Sequence, residues 1–254
     1  MLFSFSSFWI VLIIASRAYT TLAFCALFND EHMPRMLKML ISFALALCLL
    51  PVFSDYYIDH SFSLLFCLML LVKELAVGAL IGTIFSFPLW LVENVGNLID
   101  MQRGEQFGAI INQLTKTPSS SISKLLFQGF IVYLIVNGGI FILLKSLFLS
   151  YNIIPCFNFN ISLAHGLQFY IELFSNYFYW VVVIALPILF AMFLAEIILG
   201  VMSSFIQQLN VTVIAMPIKS LVAMLLLVFY IGVIYHEAIT HFTGAQFAEL
   251  FKSH

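Results

Sequence analysis

The sequence predicts an all-α membrane protein of about six long apolar helical segments, some kinked or broken. Three observations predict it. Hydrophobic residues make up 63% of the 254 and charged residues only 9%, against about 25% charged in a soluble domain. The mean hydropathy is +1.10. Apolar runs of the ~20 residues that cross a bilayer recur along the whole chain. A net charge of −2 and a pI of about 6.3 speak against nucleic acid as a partner. The chain is taken as one integral membrane domain, 1–254.

The segments fall at roughly 3–28, 36–53, 62–91, 125–149, 177–206 and 211–236. The first has no basic n-region, and its apolar run continues past Arg17 to Phe28, so a retained span is expected, not a cleaved signal peptide. Charge and Pro34 in NDEHMPR close it, and SDYYIDHS closes the second. A Gly-, Gln- and Ser-rich polar loop, 96–123, separates the third from the fourth. YNIIPCFNFNISLAHG follows the fourth, and QQLN divides the last two. The tail after 236 is weakly amphipathic, with Phe247, Leu250 and Phe251 on one face, as in an interfacial helix. Residues 62–91 and 177–206 would each run about 45 Å as helices, against a hydrocarbon core of about 30 Å. They carry Pro88 and Pro187, which favour kinks, and Gly138-Gly139 interrupts the fourth segment after Asn137.

Several charges sit where lipid is expected. Arg17 lies midway through the first segment, Lys73 and Glu74 in the third, and Glu196 in the fifth. Each costs roughly 2.5–3.5 kcal/mol at a helix centre, so each needs a partner or water. They either neutralise one another for assembly or line a polar path. Glu74, Gly78 and Gly82 share one helical face, and Glu196 and Gly200 repeat the spacing. A small-residue stripe admits a close helix, and an adjacent acid can hydrogen-bond across it.

Little points to catalysis or cofactors. Cys25, Cys48 and Cys67 lie in apolar runs, and no CxxC accompanies them or Cys156, so neither a disulfide framework nor a zinc site is expected. His236-Glu237 and His241 form HExxxH, whose histidines are five apart and off a shared helical face. No nucleophile elbow, P-loop or dinucleotide fingerprint occurs. The formal sequon at Asn160 is disregarded in so bacterial-looking a chain.

Glu74, Gly78 and Gly82, then Gly96, Asp100, Gln102 and Gly104, then Asn137-Gly138, are arranged as in the FliR/SctT family. The stretch ALPILFAMFLAEIILGVMSSFIQQLNVTVIAMPIKS resembles that family's most recognisable region, through Pro187, Glu196, Gly200, Gln208, Asn210, Pro217 and Lys219. Arg17 and Pro34 fit its N-terminal part. The AMPIKS ending looks more like the virulence injectisome branch than the flagellar one.

The resemblance implies a non-enzymatic, cofactor-free subunit of the type III secretion export gate in the bacterial inner membrane, with part of the assembly at periplasmic level. Implied partners are R-type (FliP-like) and S-type (FliQ-like) subunits at 5 R: 4 S: 1 T, the U-type switch subunit (FlhB-like), and unfolded export substrates. The T subunit would look like an R-type and an S-type fold fused. The loop at 105–121 would help plug the channel, with Glu105, Gln106, Phe107, Gly108, Ile110, Ile111, Asn112, Gln113 and Leu114 as its core. Gly104 and Gly108 permit turns and hinging, uncharged amides hydrogen-bond without gripping substrate charge, and the aliphatics exclude water. The resemblance also implies a cytoplasmic C-terminus. The positive-inside rule gives the reverse, with six Lys and Arg on the side of the first loop against Lys145 and Lys252 on the other. The competing expectation is a small secondary transporter, whose signature also includes intramembrane charges and broken helices.

Overall fold

The computed structural model describes residues 5–29, 33–50, 64–104, 121–156, 163–205 and 211–241. Among these residues every regular element is helical: α1 (Phe5–Phe24), a short 3-10 turn (Ala26–Phe28), α2 (Arg35–Leu49), α3 (Leu64–Arg103), α4 (Ser121–Val136), α5 (Gly139–Ile153), α6 (Leu163–Phe205) and α7 (Val211–Ile239). The all-α membrane class holds. Among the described residues three helices are long and apolar enough to cross a membrane, Leu65–Arg103, Tyr170–Phe205 and Ile214–Ile239, and the broken pair α4 and α5 can supply a fourth span.

Among the described residues there are seven α-helices, not about six, because the fourth expected segment divides. Gly138 sits at φ 77°, in the left-handed region. An L side chain there costs roughly 1–2 kcal/mol, so glycine is the residue that permits the break. The long segments are longer than expected. α3 runs on through residues 96–103, which the sequence reading gave to the polar loop, since Val92, Val95 and Ile99 keep an apolar face fully buried. α6 begins at Leu163, not 177, as Leu173, Tyr177 and Val181 continue one buried stripe among Glu172, Ser175 and Asn176. Both helices continue through Pro88 and Pro187.

The described residues form two compact units, divided at Phe87/Pro88, Asn137/Gly138 and Ala164/His165. The first holds α1, α2, the leading part of α3, and α5. Its core joins Val11, Ile13, Ile14 and Ala18 to Ala46 and Leu49 of α2, Leu70 of α3, and Leu147, Tyr151 and Cys156. The glycine face of α3 lies against α1: a methyl built on Gly78 would stand 2.5 Å from the Arg17 carbonyl, and one on Gly82 would stand 2.6 Å from that of Thr21.

The second unit holds the rest of α3, α4, and most of α6 and α7. Here α3 meets α4 at Gly96, where a Cβ would come 2.5 Å from Ser123 Cα. α4 meets α7 through Tyr235, whose hydroxyl donates to the Leu126 carbonyl at 3.0 Å and whose ring tilts against Phe130 at 5.4 Å. Asn94 of α3 bonds the Tyr177 hydroxyl of α6.

Candidate functional site

Two polar clusters stand out in this apolar chain, one in each unit. The first grows from Arg17. Its side chain is fully buried in α1, and so is that of Glu74 in α3. The guanidinium grips the carboxylate in a fork, Nε to Oε2 at 2.5 Å and Nη2 to Oε1 at 2.9 Å. Nη2 also donates to the Ile154 carbonyl at 2.8 Å, and Nη1 to Ser150 Oγ at 3.2 Å. The cation lies 4.4 Å from the centre of the Tyr151 ring, an attraction that strengthens on desolvation. Tyr151 in turn donates to the Ile14 carbonyl of α1 at 2.8 Å.

Lys73 completes the cluster. Its Nζ donates to the Pro155 and Cys156 carbonyls at 2.8 Å each and lies 3.2 Å from Glu74 Oε1. Both cations therefore reach the one carboxylate. Three carbonyls in a row, at 154, 155 and 156, accept hydrogen bonds from them just past the end of α5. A helix C-terminus carries the negative end of its dipole, so cations are stabilised there. Cys156 is packed into the same place, and burial, with Glu74 nearby, pushes its thiol up to about 12. It stays protonated, as a small hydrophobe does.

The second cluster gathers where α3 ends, α4 begins and α7 passes. Asp100 is 3% exposed. Its Oδ2 accepts the Ser123 backbone N–H at 3.0 Å, and its Oδ1 accepts Arg103 Nη2 at 2.5 Å. Arg103 also reaches Ser220 Oγ of α7 at 3.1 Å. Beside it, Lys219 pairs with Glu196 of α6 at 2.7 Å and lies 3.5 Å from the Gln102 carbonyl.

These positions divide the predicted site residues. Arg17, Lys73, Glu74, Gly78 and Gly82 converge in the first unit. Glu196 does not join them; it meets Lys219 in the second, with 49% of its side chain exposed. A Cβ on Gly200 would have no neighbour within 4 Å, so among the described residues no helix packs against that stripe. Pro217 and Lys219 lie inside α7, and Pro217 is exposed. Glu105, Gln106, Phe107, Gly108, Ile110, Ile111, Asn112, Gln113 and Leu114, like Gln208 and Asn210, lie outside the described residues, as do Asn160 and the tail beyond 241. In the HExxxH stretch, His241 bonds Glu237 at 2.9 Å and stacks on Trp180 at 3.5 Å, while His236 is exposed. Among the described residues no three His, Cys, Asp or Glu side chains gather to hold a metal ion.

Sequence reasoning missed Ser150, Tyr151 and the 154–156 carbonyls, which carry no spacing signal. It also missed the Asp100–Arg103 pair, although opposite charges three apart were there to be read once residues 96–103 were taken as helix.

Residues 8–245 match the sequence family described as bacterial export proteins, family 1. Yop proteins translocation protein T of Yersinia pestis is 40% identical over 167 residues, 65% of this chain. The chain thus spans 64% of the length of that relative, just under two thirds. Surface presentation of antigens protein SpaR of Shigella flexneri is 31% identical over 196 residues, 76% of this chain and 73% of its own. Flagellar biosynthetic protein FliR of Bacillus subtilis is 23% identical over 236 residues, 91% of this chain and 88% of its own.

Proposed function

This chain belongs to bacterial export proteins, family 1, and from that premise we propose that it is a structural and gating subunit of a type III secretion export gate. In this reading it forms part of the channel by which unfolded proteins leave across the bacterial inner membrane. Higher identity to the Yersinia and Shigella proteins, 40% and 31%, than to the Bacillus flagellar protein at 23% supports a virulence-type system over a flagellum. Its partners are R-type and S-type subunits at 5 R: 4 S: 1 T, with the U-type switch subunit alongside. It acts without catalysis or cofactor, and the chain 1–254 functions as one integral membrane piece. Residues 105–121 serve as the plug. The cytoplasmic C-terminus goes with this reading, because partner subunits, not lipid, would surround much of the chain.

One observation weighs most in favour of a structural subunit over a transporter. Arg17 and Glu74 are fully buried, and the Lys73 side chain is 7% exposed. All three are fixed to one another and to backbone carbonyls. A substrate path needs charges that water or solute can reach. A buried, paired cluster instead holds helices in register.

A tagged full-length copy, isolated from native membranes in mild detergent, tests the proposal by intact mass. One copy of this chain with about nine small membrane subunits is the expected result. A monomer or homodimer that moves a small solute on its own after reconstitution would replace the export reading with the transporter.

A further inference from the structure

We propose that His241, Glu237 and Trp180 form a proton-sensitive latch that holds the end of α7 on α6. The latch is independent of the export reading, because it concerns how two helices of this chain hold each other, whatever the chain assembles with. α7 runs to Ile239, and the chain continues through Thr240 and His241 in a wider π turn. Helical spacing brings His241 back beside Glu237, with Nε2 2.9 Å from Oε2. The imidazole lies over the indole of Trp180 on α6, ring centres 3.5 Å apart and planes 21° apart. One side chain thus bonds an acid of its own helix and covers an aromatic face of the next.

A carboxylate only accepts, so Nε2 donates to Glu237 whether the ring is charged or neutral. The proton that comes and goes is therefore the one on Nδ1. Imidazole is the side chain whose ordinary charge change falls between about pH 5 and 8. Neutral, the ring stacks and makes one hydrogen bond. Charged, it gains three attractions together: the indole face draws a cation, the hydrogen bond becomes an ion pair, and the end of α7 presents the negative pole of its dipole. The tie is tighter with the proton on and looser with it off. The His241 and Glu237 side chains are 30% and 35% exposed, so a proton reaches the ring without the helices parting. Among the described residues Glu237 is the one ionisable group bonded to His241. Around them on α7, Tyr230 feels the charge of Glu237, and His236 is exposed. On α6, Tyr177 lies a turn before Trp180 with Glu93 of α3 near it, and Glu172 is exposed. α4 meets α7 with the phenol of Tyr133 against that of Tyr235, and its Lys124 sits at the opposite end.

The test uses the full chain in mild detergent, with Trp9→Phe and Trp90→Phe so that emission reports Trp180 alone. From about pH 8 to about pH 5.5 that emission should fall by roughly half, as the ring stacked on the indole becomes a cation. His241→Gln should abolish the fall, and His236→Gln, at the exposed neighbour, should keep it. Glu237→Gln retains an acceptor without the charge and should give a smaller fall. If the two tryptophan replacements lower the yield, the same signal is the difference between the unaltered chain and Trp180→Phe. Heat resistance at the two pH values reads the tie itself. The chain should outlast His241→Gln at the lower pH, and that advantage should shrink as the ring loses its proton at the higher one. Emission that ignores pH, or that falls equally in His241→Gln, would overturn the latch. An equal advantage over His241→Gln at both pH values would make the stack plain packing and overturn it too.

Discussion

Arg17 uses three of its nitrogens on Glu74, Ser150 and Ile154, so the residue that matters most for its stability is the acid opposite. Removing one partner of a buried ion pair costs about 3–5 kcal/mol, because the other charge is left without compensation. Glu74→Leu should abolish recovery of the membrane-inserted protein, measured by detergent-resistant folding yield. Glu74→Gln keeps an acceptor for the fork and should lose far less; equal losses would show that hydrogen bonding at Glu74 is irrelevant. At Glu196 the two substitutions should differ little, since an exposed pair contributes about 0–1 kcal/mol. Cys156 gives an independent check of the same region. With the other cysteines replaced, its raised, buried thiol should resist maleimide at pH 7–8 until the protein is denatured. Labelling as fast as a lone, exposed Cys48 would mean that residues 154–156 are not held down. The sequence made these charges conspicuous but could not pair them. Arg17 and Glu74 are 57 residues apart, and the Ile154 carbonyl is 137 from Arg17; no local pattern links such positions.

Helices were legible as elements, and their ends were not. The apolar runs announce α1, α2 and α7 within a few residues, while the run at 125–149 covers α4 and α5 together. α3 and α6 were cut short because polar residues at Gly96–Arg103 and around Glu172 read as loop, whereas packing on one face decides the outcome. The small-residue faces behave differently from one another. Gly78 and Gly96 stand where another helix's backbone comes close, while Gly200 faces open space. Gly96→Val should therefore push α3 away from Ser123 and reduce assembled complex several-fold, and Gly200→Val should have little effect on folding of the chain itself. The measurement is recovered folded protein for the pair of variants. Similar yields would mean that α3 and α4 tolerate separation at Gly96.

For the molecule as a whole, composition alone gave the membrane class, because 9% charged residues cannot cover a water-facing surface. Division into two compact units was not read from the sequence, although it falls at Pro88 and Gly138, where a kink and an interruption were expected, because neither residue says which helices pack together. Outward-facing apolar side chains such as Phe229 and Leu221 of α7 and Phe190 and Ile198 of α6 remain exposed in the chain alone.

Burial of Arg17 has a consequence in time. The ribosome delivers α1 first, and Glu74 is made 57 residues later. At roughly 5–20 residues per second, that is about 3–11 s during which the first apolar helix carries an unmatched cation. For that interval α1 has no settled place in lipid, and it is α3 that brings the missing charge. Until α3 is made, α1 alone would bear the roughly 2.5–3.5 kcal/mol that an unpaired charge costs at a helix centre, so the pairing favours the two helices settling together.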